Sequence, residues 1–490
     1  MAIWSRLRRL RRALLLAGAA VALVFGAVPG AGGVGVPAAM AASSLPCDIY
    51  AAGGTPCVAA YSTVRALYGS YGGSLYQVQR ASDGTTLNIG LMSAGGDVNA
   101  APQVSFCTGT TCTITRIYDQ SANHSDLPIS SGGFWKGPGP NGSDVGANAM
   151  ALPVTIAGHQ AFGVRVTPGT GYRVDNIPVP TGSQPEGVYM ITSSNLFNNQ
   201  CCFDFGTGEV SHTDTGNGHM NAIEFGSACW FGGCTGPGPW VEADLENGMY
   251  STNTGPNTAS NPGVQFPFVS AWEKNNGTSN FTLKFGNATS GALTTTYSGA
   301  LPNGYSPMHE EADILLGTGG DNSNGASGEF FEGAVTSGFP SDATENAVQG
   351  ELTSAGYAQT SAPSGPIVAG VNSAKCVDDS AGSTANGNKI QMWDCQSGNP
   401  NQQWTVEPDG TLRVFGKCMD ITGANFSNGT GIELWDCNGG TNQQWHASNG
   451  TLVNPASGKC LDDPGSNTAN GTQLILWTCN GGANQQWHLP

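Results

Sequence analysis

The sequence predicts an all-β chain in two parts, a large two-sheet β-sandwich followed by a smaller module built on a repeat. Three observations carry this. Gly is abundant, at 72 of 490 residues, and only 11% of residues are charged; a chain rich in Gly, Thr, Ser and Asn and poor in Lys, Glu and Arg favours short strands joined by tight turns. Short β-like runs, among them Val188 to Ile191, Phe281 to Phe285 and Ile314 to Leu316, alternate with Gly, Asn and Pro turns through residues 44–358. Finally, a 42-residue period runs through the last quarter of the chain.

The N-terminus reads as a targeting segment. Arg6, Arg8, Arg9, Arg11 and Arg12 precede an apolar stretch from Leu14 to Val28, and Ala39-Met40-Ala41 offers a small-x-small cleavage site. The expected signal peptide is therefore residues 1–41, and the expected location extracellular. Without those five arginines the formal charge of −17 becomes −22. Such an acidic surface argues against nucleic acid or anionic lipid as partners. Fourteen cysteines in an exported chain read as disulfides. No Cys-x-x-Cys with paired His points to structural zinc.

Within 44–358, helical patterning is sparse; the best stretches are Val58 to Leu67 and Ala343 to Ala355. Two groups of acids stand out. In an extended strand Glu242, Asp244 and Glu246 fall on one face. That is unfavourable in a core and natural in a cleft. An apolar run at 314–316 then leads into a glycine turn presenting Asp321; an ordinary Asp turn or a calcium loop would read the same way. Residues 359–365 form a short polar, Pro-containing linker.

The repeat occupies 366–490. Cys376, Cys418 and Cys460 lie 42 apart, as do Cys395, Cys437 and Cys479. Two positions after each first Cys stands Asp378, Asp420 or Asp462, and two before each second Cys stands Trp393, Trp435 or Trp477. Each unit closes on Asn-Gln-Gln-Trp, at Trp404, Trp445 and Trp487. A unit of this size cannot bury a core alone, but three can share one, with the closing Trp residues at its centre. Pairing the two Cys within each unit is the simplest arrangement (Cys376–Cys395, Cys418–Cys437 and Cys460–Cys479). An Asp that accepts from sugar hydroxyls beside an exposed Trp face is equipment for carbohydrate.

This segment resembles a ricin-type β-trefoil lectin module, also called carbohydrate-binding module family 13. By motif position the resemblance implies three sugar sites. The first is Asp378, Gln391, Trp393, Asn401 and Gln402. The second is Asp420, Trp435, Asn442 and Gln443, with Glu433 where the first has Gln391. The third is Asp462, Trp477, Asn484 and Gln485, with Ile475 at that place, which leaves it the most altered of the three.

The larger part resembles glycoside hydrolase family 54, the α-L-arabinofuranosidase B type. The resemblance rests on Cys47 to Ala60, Ser62 to Tyr68, Ile117 to Ser121, Cys201 to Gly206 and Gly319 to Gly325. It implies a two-sheet, jelly-roll-like β-sandwich and an exo-acting enzyme that retains anomeric configuration. It implies Glu246 as nucleophile and Asp321 as general acid/base, with Asp244, Asn247, Gly320, Cys201 and Cys202 at the sugar. It also implies disulfides Cys47–Cys57 and Cys107–Cys112 and a vicinal Cys201–Cys202 wall, which leaves Cys229–Cys234 as a local pair. Trp230, bracketed by that pair, is the candidate aromatic platform. The substrate class is arabinoxylan or arabinan, acted on by a monomer with no cofactor and no metal. Two other readings stay open: a β-xylosidase or bifunctional enzyme, and a non-catalytic lectin.

Overall fold

The computed structural model describes residues 44–230, 234–236, 238–253, 261–360, 364–407, 410–448 and 450–490. The expected signal peptide lies outside these, as does the middle of the expected linker. Among the described residues no helix is long and apolar enough to cross a membrane.

Two large antiparallel sheets form the body of the first part, with smaller sheets beside them. One runs in the spatial order Cys57–Ser62, Gly328–Ser337, Glu186–Thr192, Val269–Asn275, Phe281–Asn287 and Ser290–Gly299, with Val164–Val166 pairing alongside Gly328–Ser337. The other runs Met249–Tyr250, Trp240–Asp244, Asn221–Gly226, Asp204–Thr207, Asp313–Leu316 and Tyr172–Asp175. Apolar side chains of both sheets join in one core that includes Tyr189, Trp272, Phe205, Phe225, Ile314 and Phe330. This is the packing that two amphipathic sheets require.

The strands read at 188–191, 281–285 and 314–316 each lie inside an observed strand. A helix at Asp342–Leu352 takes up most of the second expected helical stretch and is capped by Ser341, whose side chain accepts from the Thr344 backbone N–H. The first is a correction. Residues Cys57–Ser62 form a strand, paired with Gly328–Ser337. Both its faces are covered, which gives a continuous apolar run that periodicity cannot separate from a buried helix.

The repeat folds as three similar units around one core. Trp404, Trp445 and Trp487 are buried at its centre. Each indole N–H donates to a backbone carbonyl, of Val377, Met419 and Leu461 at 2.9, 3.1 and 3.0 Å respectively. Each ring thus buries its apolar body and satisfies its polar atom. Both ends of the expected linker lie in strands. Ala358–Gln359 pairs with the Pro153–Ile156 strand of the sandwich, and Ser364–Gly365 with Trp404–Val406 of the repeat. All fourteen cysteines are paired, in seven disulfides.

Candidate active site

The second sheet of the sandwich carries a row of acids. Asp204 faces Glu224 across one strand pair, and Glu224 faces Glu242 across the next. Asp244 stands two residues further on and closes its strand. All four are buried. Burial first, then the neighbouring carboxylates, raises Asp204 and Glu242 well above the usual carboxylate range. Burial, then Glu224, pushes Asp244 up to about 8, while burial lifts Glu224 to about 7.

The sequence placed Glu246 on the same strand face as Glu242 and Asp244. Instead the strand ends at Asp244, and Glu246 and Asn247 take left-handed backbone angles, φ 63° and 54°. Two consecutive non-glycine residues in that region are costly and must be held by their surroundings. Three hydrogen bonds do so. The Glu246 N–H donates to Asp244 Oδ1 at 3.1 Å, Tyr305 Oη donates to the Glu246 carbonyl at 2.8 Å, and Asn247 Nδ2 donates to Asp214 Oδ1 at 3.0 Å.

Glu246 and Asp321 line a single cavity of about 270 Å³ together with Cys201, Cys202, Asp214, Trp230, Asp244, Asn247, Met249, Gly320 and Ser323. Every residue expected at the sugar is therefore brought to one place. A larger hollow of about 410 Å³, near Val58 and Pro178, is lined only by Val, Pro, Gln, Ser and Gly, with no acid or base. Chemistry and not size singles out the first. Cys201 and Cys202 are joined to each other across a cis peptide, forming part of the wall. Trp230 is 58% exposed at the rim.

Glu209 and Asp214 were missed by the sequence reading. Glu209 is buried, and its Oε1 accepts from the Thr215 hydroxyl and backbone N–H. No N–H or hydroxyl reaches its Oε2. The Glu246 carboxyl lies beside it, with oxygens of the two within 4.8 Å of each other. Burial, then Asp244 and Glu209, pushes Glu246 up to about 10. Glu209 is raised too, by burial. Ionisation of the two is linked, Glu209 raising Glu246. A methyl group at Gly320 would fall on the carboxyl oxygens of both, so a larger residue there would push the two carboxyls out of place. Glu209, Asp214 and Glu246 also bring oxygens within 4.8 Å of one another, the all-oxygen group among the described residues that could hold a cation.

Asp321 Oδ1 accepts from the Ser323 backbone N–H at 2.9 Å and from the Ser323 hydroxyl. Its loop is tied down from two sides. Asn322 and Asn324 donate to Asp144 Oδ1 at 3.2 and 2.6 Å. Arg173, buried on the far strand of the sheet, donates to the carbonyls of Gly319 and Gly320 at 3.1 and 2.7 Å. Its Nε lies 2.8 Å from Asp313 Oδ2, yet neither atom has a hydrogen-bond partner by angle; the contact is one of charge. Replacing Arg173 with Met leaves Asp313 buried without its cation. We expect a stability loss of about 3–5 kcal/mol by denaturant titration, with Arg173→Lys losing less. An unchanged midpoint for Arg173→Met would contradict this account.

The three repeat sites differ from the sequence expectation. Asp378, Asp420 and Asp462 sit opposite Gln391, Glu433 and Ile475 in register. Gln402, Gln443 and Gln485 are fully buried. Each donates to its Asp, at 3.0, 2.8 and 2.6 Å, and accepts a backbone N–H from the residue just after the second Cys of its unit, Gln396, Asn438 or Asn480. They hold the Asp in place from within the fold. Asn442 and Asn484 donate to Asp420 and Asp462 at 2.8 and 2.9 Å, so the third unit matches the second despite Ile475. In the first unit Gln391 makes the second bond to Asp378, at 3.0 Å. Trp435 and Trp477 are exposed and Trp393 half-buried.

Residues 46–358 match the family model described as "Alpha-L-arabinofuranosidase B, catalytic", and residues 363–487 match the ricin-type β-trefoil lectin domain. The chain is 52% identical over 331 residues to a probable α-L-arabinofuranosidase B of Aspergillus clavatus, a match covering 67% of this chain and 65% of that protein. It is 50% identical over 337 residues to an arabinofuranosidase/β-xylosidase of Trichoderma koningii, with 67% of each chain covered. The matched region thus spans slightly less than two thirds of the Aspergillus relative. Among solved structures, a GH54 α-L-arabinofuranosidase soaked with a cyclic sulfate inhibitor superposes with TM-score 0.69 at 33% identity, over 91% of this chain and 98% of that one. An arabinofuranosidase complexed with arabinofuranosyl-α-1,2-xylobiose gives the same TM-score and coverage at 34% identity. With the family model spanning most of the chain and the fold and cavity as described, the protein belongs to the α-L-arabinofuranosidase B catalytic family, glycoside hydrolase family 54.

Proposed function

We propose that this chain is a secreted, retaining, exo-acting α-L-arabinofuranosidase that removes terminal arabinofuranose from arabinoxylan or arabinan. The observation that carries the reading is the meeting of Glu246 and Asp321 in one cavity lined by Cys201, Cys202 and Trp230. At about 270 Å³ the cavity lies just below the roughly 300 Å³ at the low end of ligand pockets, a scale suited to one terminal sugar. Glu246 attacks the anomeric carbon and the bond to the leaving oxygen breaks as Asp321 gives that oxygen its proton. Asp321 then takes a proton from water, which attacks the same carbon and frees Glu246. Attack requires Glu246 ionised, and Glu209 is the neighbouring carboxyl that can take its proton. Asp244 and Asn247 are placed to receive sugar hydroxyls, and the disulfide offers an apolar face.

The β-trefoil holds the enzyme on its polymer through Asp378, Asp420 and Asp462 with their Trp neighbours, raising the local substrate concentration. Export agrees with seven disulfides in one chain.

The test is hydrolysis of 4-nitrophenyl α-L-arabinofuranoside followed by proton NMR of the first product. Retention predicts α-arabinofuranose as the first anomer seen; initial β-product would overturn the double displacement. A second reading, β-xylosidase activity, is favoured by the dual name of the Trichoderma koningii relative. The matching aryl β-xyloside, run in parallel, decides it.

A further inference from the structure

Large apolar side chains exposed to water are uncommon in pairs, and here two adjacent ones stand beside Asp321. Phe134 is 68% and Trp135 54% exposed. Their rings meet edge to face, with centroids 5.5 Å apart and planes at 85°. They are held by backbone bonds. The Phe134 N–H donates to the His212 carbonyl at 2.8 Å and the Trp135 N–H to the Asp321 carbonyl at 3.2 Å. Asn322 Nδ2 returns a bond to the Trp135 carbonyl at 3.4 Å. A methyl group at Gly133 would collide with the carbonyl oxygens of both His212 and Asp321, so glycine is what lets this loop lie against the acid/base turn. The same loop runs on to Asp144, the acceptor for Asn322 and Asn324.

We propose that Phe134 and Trp135 form the leaving-group subsite, the surface on which the backbone pyranose bearing the arabinofuranose stacks. The inference rests on the reading above. A general acid protonates the leaving oxygen, so the group beyond that oxygen lies on the Asp321 side of the cavity. A xylopyranose ring, with its hydroxyls equatorial, presents flat C–H faces that suit aromatic surfaces. Trp230 lines the cavity itself, whereas Phe134 and Trp135 stand outside it, on the backbone of Asp321. The pair thus extends the site from one sugar to two.

The test compares two substrates in the full chain: 4-nitrophenyl α-L-arabinofuranoside, which has no sugar aglycone, and a xylo-oligosaccharide bearing one arabinofuranose. The readout is the ratio of kcat/KM on the oligosaccharide to that on the aryl glycoside. For the double variant Phe134→Ala, Trp135→Ala the ratio should fall about tenfold, the scale of one or two lost ring contacts. Trp135→Phe alone should recover most of it. Both rings are exposed, so truncation leaves no cavity. A ratio within about twofold of the unaltered protein overturns the subsite. So does an equal loss on both substrates, which would mean that the loop only positions Asp321. A fall seen with arabino-oligosaccharides and not with xylo-oligosaccharides overturns the pyranose assignment. Should the unaltered protein hydrolyse neither substrate, the proposed activity itself fails and the subsite with it.

Discussion

Glu246→Gln should abolish hydrolysis of aryl arabinofuranosides, lowering kcat by about 10⁴-fold or more, the loss seen when a covalent nucleophile is removed from a site that otherwise remains intact. The amide occupies the same space and can donate to the neighbouring Glu209, so the cavity should keep its shape. A second consequence runs the other way. Burial, Asp244 and Glu209 together push the Glu246 carboxyl up to about 10. A carboxyl raised in the folded state contributes stability that is complete below its unfolded value of about 4.3 and is lost as pH climbs toward the folded one. At pH 7 the folded protein must therefore hold a proton on this carboxyl that the unfolded chain gives up, a burden absent at pH 4. Glu246→Gln removes that burden, so it should unfold at higher temperature than the unaltered protein at pH 7, with the difference shrinking toward pH 4. Calorimetry at the two pH values checks the sign. An inactive variant less stable at pH 7 would mean that the carboxylate is paired with something the acid row does not supply. Such an opposition between activity and stability is usual where function needs like charges held close.

The two acids of the proposed mechanism could be named from the sequence because each sits in a local motif. What surrounds them could not. Glu209 and Asp214 are more than 30 positions from Glu246, and Arg173 is farther still from the Asp321 turn it anchors. Only sheet register brings them together, by placing the Tyr172–Asp175 strand beside Asp313–Leu316 and Asp204–Thr207 beside both its neighbours. No pairwise register can be read from one chain of short strands. The alternation that put Glu242, Asp244 and Glu246 on one face was sound for two of the three. It failed at the third because the strand stops at Asp244 and the chain turns through φ 63°. The repeat shows the complementary case. Its period located every Asp, Trp and Cys, yet not the burial of Gln402, Gln443 and Gln485, because sequence reports side-chain chemistry and not depth. Nor could it show that the second and third units, which differ at Glu433 and Ile475, place Asp, Asn and Gln alike.

Asp321→Ala separates the two steps of the reaction, because its effect depends on the leaving group. An unactivated oligosaccharide aglycone leaves only with a proton, so kcat/KM on such a substrate should fall by about 10²–10⁴-fold. Nitrophenolate leaves without help, so formation of the glycosyl-enzyme is much less impaired. Its breakdown still lacks the base that activates water. With 4-nitrophenyl α-L-arabinofuranoside the intermediate should therefore accumulate, giving a burst of nitrophenolate, a low kcat and a depressed KM. Azide needs no general base and should restore turnover, yielding an arabinofuranosyl azide of retained configuration. The geometry supports this division of labour. Asp321 Oδ1 is held by Ser323 and its loop by Arg173 and Asp144, so the carboxyl is fixed through one oxygen while Oδ2 stays available to move a proton. Truncation to Ala removes the carboxyl but none of the bonds between Arg173 and the backbone of Gly319 and Gly320, and the loop should stay in place. Equal losses on activated and unactivated substrates, or no response to azide, would show that Asp321 is not the acid/base and that the proton comes from another of the cavity's carboxyls, with Asp214 the first to examine.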